Sequence, residues 1–328
     1  MLPLRSNDRG DHLGFLAKYI ISFLKALDKA GNIKYTASSA VPYHAGNSLE
    51  EREVAIEPNI VIATTTFYKN LADVRFELAL RTLRNLANAG YDVVVYDGSA
   101  QSIRDAIKSC GQSILLFDEP PGSSMGHTRR LAIAKAAAVA GSNGIIGWIE
   151  PEKDFATFIQ ACVAPILRAR DGLPGACHIV VPSRSDKLAS YQEFQRYAEL
   201  FGNGVFRYIL GTPIDAWIGP RFFGAEDKYW FTEYRGEYGD RWDSIFIPLL
   251  RAHAAGMVLG SVEVDFAYPP EQAAAEDILE IYIRRLEQLS LVPILAQEAL
   301  RLGIIEKRFE VNLKALAKTW RQALTNID

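Results

Sequence analysis

The stretch Asn143-Gly144-Ile145-Ile146-Gly147-Trp148-Ile149-Glu150-Pro151-Glu152-Lys153-Asp154 decides how this chain is read. It is an apolar run of strand length that stops on two carboxylates one residue apart, with Pro151 stiffening the backbone between them. A buried strand that delivers an acid–x–acid step to its carboxyl end suits a divalent metal held against a diphosphate. Mg2+ and Mn2+ take oxygen ligands and bridge phosphate oxygens. The competing reading is that the acids cap a helix starting near Asp154, because carboxylates favour helix N-termini.

Working outward, strands and helices alternate. Ile60 to Thr66 is β-branched and reads as a buried strand. Asp73 caps a helix with Phe76, Leu80, Leu83 and Ala87 on one face, closed by Asn88-Ala89-Gly90. A second strand, Tyr91 to Tyr96, ends at Asp97-Gly98-Ser99. A short helix from Ser102 to Ser109, a strand from Ser113 to Phe117, a Gly/Pro/Ser loop around Gly122 and a helix from Gly126 to Ala140 lead to the strand Gly144 to Ile149. This alternation predicts an α/β fold with a mostly parallel sheet flanked by helices and right-handed crossovers. Ligands of such sheets bind beyond the carboxyl ends of the strands, so Thr64 to Thr66, Asp97, the Gly122 loop and Glu150/Glu152 are expected to converge.

The second half is less regular. The pattern predicts a helix from Asp154 to Arg168, a strand from Cys177 to Val181, and helices over Ser190 to Phe201 and Gly204 to Leu210. An aromatic- and glycine-rich region spans Asp215 to Asp240. A helix from Trp242 to Ala255 and a strand from Met257 to Val264 close the core. From Ala273 the chain reads helical, with breaks near Ser290 to Pro293 and near Gly303, and Leu279, Ile281, Ile283, Leu286 and Leu289 call for cover by the body or by a second copy. The expected division is residues 1–58 as an N-terminal helix and connector, 59–272 as the α/β domain, and 273–328 as a helical extension.

A net charge of -3 argues against a general nucleic-acid binder. The three cysteines form no CxxC and read as reduced thiols of a cytoplasmic protein, and the five dispersed histidines give zinc little support. No apolar leader is visible. His12 to Leu27, interrupted by Lys18 and Lys25, is too short to span a bilayer. It reads as a helix packed on the body or on a partner subunit, with peripheral contact to a membrane surface as the second reading.

Several other residue types suit the same chemistry. His127-Thr128-Arg129-Arg130 opens a helix after a Gly/Ser loop, where backbone amides and one of the two arginines cradle a diphosphate. Asp97 is a hydrogen-bond acceptor for a base or ribose, or an ordinary turn aspartate. Arg184 ends a strand on the same edge, where it reaches a phosphate or an acidic acceptor. Asp215 introduces the run Ala216-Trp217-Ile218-Gly219-Pro220-Arg221-Phe222-Phe223, an acid joined to aromatic surface, although most of these aromatics read as core. Asp243 opens a helix as a general base, as a holder of sugar hydroxyls, or as a cap.

With these residues in order, the chain resembles the GT-A-fold, family-2-like glycosyltransferases, including polyprenol-phosphate mannose synthases and mannosylglycerate synthases. The resemblance runs from Ile60 to Tyr268. It is carried by Ile60 to Thr66, by Val93 to Ser99, by Gly126 to Ala132, by Glu150-Pro151-Glu152 at the place of an Asp-x-Asp metal motif, by Val181-Pro182-Ser183-Arg184, and by the order Asn203, Arg207, Asp215. It implies a nucleotide-sugar donor, an acceptor, and Mg2+ or Mn2+ at Glu150 and Glu152. It further implies Thr64, Thr65, Thr66, Asp97, Arg129, Arg130, Glu150 and Arg184 around the donor, and Asp215, Asp243 and Glu152 as catalytic groups. Two departures stand out: glutamates replace both aspartates of the metal motif, with Lys153 beside them as a partial substitute for a cation, and the base has two claimants, Asp243 and Glu233. The rival readings are a nucleotidyltransferase on the same fold, disfavoured by the lack of glycines after the first strand, and a catalytically silent assembly domain.

Overall fold

The computed structural model describes residues 58–186 and 188–304. Its first half alternates as the β-branched runs require: β1 (Ile60–Thr66), α1 (Val74–Asn88), β2 (Asp92–Asp97), α2 (Gln101–Lys108), β3 (Ile114–Asp118), α3 (Met125–Ala140) and β4 (Ile145–Trp148). The rest comprises α4 (Ile159–Arg170), β5 (Ile179–Arg184), α5 (Glu193–Leu210), β6 (Arg221–Gly224), α6 (Tyr229–Thr232), α7 (Asp243–Ala254), β7 (Leu259–Val264), α8 (Pro270–Ala275), α9 (Leu279–Leu289) and α10 (Leu291–Arg301). The seven strands form one sheet in the order β3-β2-β1-β4-β6-β5-β7. Only β6 runs against its neighbours. The expected α/β class with a mostly parallel, helix-flanked sheet is therefore the one observed.

The strand order places the site. From β1 the chain steps to β2 and β3 on one side, then returns to β4 on the other. The crevice beyond the carboxyl ends of β1 and β4 is thus a topological switch point, where open α/β sheets take ligands. Register brings the named residues to that crevice. Thr66 pairs with Asp97, Ala63 pairs with Trp148, and the Ile149 amide donates to the Ala63 carbonyl at 3.1 Å. Val61, Ile62, Ala63, Val93, Val94 and Val95 are fully buried, as strands covered on both faces should be.

Three elements differ from the sequence expectation. Helix α4 starts at Ile159, not near Asp154, because the Asp154 carboxylate accepts from the Ala156 amide at 3.1 Å and from Asn85 at 2.6 Å, holding a turn. The two helices expected from Ser190 to Leu210 are the single α5. Gly202 lies within it, and a Cβ there would come within 2.6 Å of the Trp217 indole. Strand β6 lies inside the run after Asp215, where the pattern predicts no strand, and its aromatics are core, as most of that run reads. Phe222 and Phe223 are core residues, with Phe223 stacked on Phe231 at 4.4 Å.

The helices after Ala273 pack on the body through residue 304. Leu291, Leu295 and Ala299 join the central apolar core. Glu298 is buried and holds Arg251 of α7 at 2.8 Å. On α9, Leu279 and Ile283 remain exposed. The helix expected over His12 to Leu27 lies outside the described residues. Among the described residues no helix is long and apolar enough to cross a membrane.

Candidate active site at the carboxyl edge of the sheet

The floor of the crevice is made by β1. Thr64 is fully buried, and its hydroxyl donates to the Ile149 carbonyl at 3.0 Å, tying β1 to the last residue before Glu150. Thr65 is half-buried and Thr66 buried. Asp97 is buried and accepts the Ser99 amide at 2.8 Å, closing its own turn, while the Ser99 hydroxyl accepts the Tyr68 amide at 2.9 Å. Burial pushes the Asp97 carboxyl above its ordinary value, although Ser99 and Arg104 work in the opposite sense. Phe67, 62% exposed, lies against Gly98 at the rim.

Both carboxylates of the Glu-Pro-Glu step are engaged by cations of the chain. Glu150 and Lys153 are joined at 2.7 Å across a turn in which the Lys153 amide donates to the Glu150 carbonyl at 3.0 Å. The Lys153 ammonium also donates to the Ile218 carbonyl. Burial alone would raise the Glu150 carboxyl, but Lys153, Arg129 and Arg285 outweigh it and hold it below the usual range. Glu152 is buried, paired with Arg75 of α1 at 2.5 Å, and accepts the Tyr68 hydroxyl at 3.1 Å. The Glu152 charge drives the Arg75 guanidinium upward, and burial together with Glu152 raises Tyr68. Neither glutamate caps a helix.

This donor set does not fit the divalent metal implied by the resemblance. Each carboxylate already has a chain cation, so the corner holds two negative and two positive charges without an ion. Among the described residues no group of three or more His, Cys, Asp or Glu is arranged to hold a metal.

A second wall rises from β5, α5 and the turn before β6. Arg184 has a fully buried side chain and grips Asp215 through two hydrogen bonds of 2.6 Å, with Glu199 at 2.7 Å and the Tyr191 ring centroid 4.6 Å away. Asn203 donates to Asp215 at 2.7 Å. The expected Arg184, Asn203 and Asp215 are thus brought together. Burial disfavours the charge on Arg184, yet Glu199, Tyr191 and Asp215 hold it above its ordinary value. Arg285 of α9 lies 3.5 Å from Glu276, and against the cost of burial its charge is sustained by Glu199, Glu276 and Glu150.

The opening of α3 is differently occupied than the sequence suggests. The Gly126 amide donates to the Asp240 carbonyl at 2.8 Å, and Ser124 caps His127 at 3.1 Å, so these amides are already used. Arg130 forms a two-pronged pair with Asp240 at 2.5 and 2.9 Å. Arg129 is buried between the rings of Trp148 and Trp242, at 5.6 and 5.3 Å, and donates to the Arg241 carbonyl and to Ser244. Burial lowers it to about 10, with Glu150 and Asp243 opposing. Asp243 is buried and accepts from the Tyr234 hydroxyl and from the amides of Asp240 and Arg241, so it fastens the turn that leads into α7 and caps no first-turn amide of that helix. Glu233 is exposed.

Sequence reasoning missed Arg75, Tyr68, Glu199, Arg285 and the role of Arg221. No periodic signal links Arg75 to an acid 77 positions away. Arg221 did carry a signal, a charge set in an otherwise apolar Gly-Pro-Arg-Phe-Phe run. Fully buried, it donates to the carbonyls of Ala216, Gly219 and Pro220 and so fixes the turn that faces Lys153, and burial lowers it to about 10.

No family model matches the chain, and no curated protein matches it. Among solved structures it is similar to glucosyl-3-phosphoglycerate synthase of M. tuberculosis, with 14% identity over 76% of this chain and 82% of that one and a TM-score of 0.46. It is similar to a mycobacterial protein at 12% identity over 76% of each chain, with a TM-score of 0.48. Mannosyl-3-phosphoglycerate synthase from Rubrobacter xylanophilus matches at 12% identity over 76% of each chain, with a TM-score of 0.43. Similarity at this level does not assign an activity.

Proposed function

We propose that this chain is a GT-A-like glycosyltransferase that moves a sugar from a nucleotide-diphosphate donor to an acceptor hydroxyl. The observation that carries the proposal is the convergence, at the switch point beyond β1 and β4, of Thr64 to Thr66, Asp97 and the Glu150 to Lys153 corner. In this reading the nucleoside lies along the β1 and β2 ends with Asp97 as an acceptor for its donors, and the diphosphate lies toward Glu150 and Lys153. The buried Arg184–Asp215 pair, with Asn203 bonded to it, braces the wall on the sugar and acceptor side from beneath. Arg129 acts through its buried positive field, while Arg130, Asp243 and Glu152 hold the walls through their pairs with Asp240, Tyr234 and Arg75.

The reaction breaks the bond from the anomeric carbon to the diphosphate, whose oxygen keeps the electron pair, and forms a bond from that carbon to the acceptor oxygen. The acceptor proton passes to a basic oxygen of the site. Charge builds on the leaving diphosphate, so fixed cations and donors aimed there supply the catalysis. Calorimetric titration with UDP- and GDP-linked sugars tests the proposal. Saturable binding of one donor class supports it, and binding of neither would remove it.

A further inference from the structure

A metal corner built from two carboxylates is electrically incomplete until a divalent cation arrives. Here it is complete without one, because Lys153 and Arg75 offset Glu150 and Glu152. The Lys153 seat is constructed and not incidental. Lys153 is buried, and Glu150 lies against Gly219, where a Cβ would come within 2.7 Å of the carboxyl carbon and where φ is +104°. The same turn offers the Ile218 carbonyl to the ammonium and is held in shape by the fully buried Arg221. An ion entering the corner would have to displace these cations, leaving a buried ammonium with one carbonyl for company, a strongly unfavourable exchange. An ammonium carries three hydrogens. Glu150 and Ile218 take two, and no third acceptor is found among the described residues.

We propose that Lys153 is a resident cation standing where a divalent metal would otherwise sit, and that its remaining hydrogen meets a phosphate oxygen of the donor, which therefore binds without metal. The diphosphate half of this proposal rests on the donor reading above; the charge-balance half does not. Arg75, turned to Glu152, removes the second carboxylate from metal binding and is a positioning residue.

The test uses metal-stripped full-length protein. Mn2+ is titrated in and free Mn2+ followed by electron paramagnetic resonance, and UDP and GDP are titrated calorimetrically in EDTA and in Mn2+, with uridine and guanosine alongside. The expected results are no stoichiometric Mn2+ uptake at millimolar Mn2+ and nucleotide affinities that agree within about twofold between the two buffers. Lys153→Met should weaken the diphosphate by about tenfold or more while leaving the nucleoside unchanged, with Lys153→Arg keeping most of the affinity. One Mn2+ bound per chain and lost in Glu150→Gln, or nucleotide binding that requires Mn2+, would overturn the proposal. If neither nucleotide binds, the donor reading and the diphosphate half fall together, and the Mn2+ titration still decides the rest. If Lys153→Met does not fold, the wild-type titrations decide alone.

Discussion

Replacing Arg184 by methionine removes a cation from a place that water does not reach. Its side chain is fully buried, serves Asp215 at 2.6 Å and Glu199 at 2.7 Å, and covers the Tyr191 ring. Breaking one buried ion pair costs roughly 3–5 kcal/mol, because the partner is left charged and alone. Two carboxylates are stranded here, but Asn203 still donates to Asp215, Gln195 still donates to Glu199, and the field of Arg285 reaches Glu199. Those supports bring the expected loss to about 4 kcal/mol. At about 2 °C per kcal/mol for a chain of this size, melting should fall by roughly 8 °C. The same change combined with Glu199→Gln and Asp215→Asn withdraws the three charges together, and stability should return to within about 2 kcal/mol of wild type. Urea unfolding followed by circular dichroism measures all three proteins. Arg184→Met within about 1 kcal/mol of wild type, or a triple variant less stable than the single one, would show that the cluster is not a buried, mutually compensated unit.

Two further outcomes follow from single positions. Gly219→Ala combines φ of +104° with a Cβ within 2.7 Å of the Glu150 carboxyl carbon, so it should cost roughly 1–3 kcal/mol in urea unfolding and weaken the Glu150–Lys153 pair. A wild-type-like unfolding curve would show that the turn is not shaped around Glu150. Glu298 is held down at about 2 by Arg301 and Arg251. Its folded value lies below the unfolded one, so its contribution is fully present above about pH 4.3 and is lost as pH falls toward 2. Arg301 is 57% exposed, so screening by water trims that contribution to about 1–2 kcal/mol. Melting of wild type and Glu298→Gln between neutral pH and pH 3 should converge on acidification, and a constant difference would contradict the assignment.

What the sequence revealed and what it hid divide along physical lines. β1 and β2 were readable because a β-branched run buried on both faces has few other uses, and Asp73 announced α1 by residue type and spacing. β6 was hidden because four residues with two aromatics and a preceding Gly-Pro carry no period, and only the remote partners β4 and β5 make them a strand. The delayed start of α4 depends on one side chain, Asp154, choosing a nearby amide. Glu150 and Glu152 were found at the edge where they lie, yet their meaning came from partners on distant elements, Arg75 on α1 and the Ile218 carbonyl before β6. Ion pairing across such separations leaves no local pattern. The same holds for Arg129, Arg130 and Asp243, whose residue types suited a ligand while their neighbours use them within the wall.

We propose that the crevice beyond β1 and β4 takes a nucleotide-linked sugar through the Lys153 corner. Calorimetric titration of UDP- and GDP-sugars into the metal-stripped protein in EDTA tests it most directly. Saturable binding of one donor class at one site per chain, markedly weakened by Lys153→Met, is the expected result. No saturable heat with either class, in EDTA or in Mn2+, would contradict it.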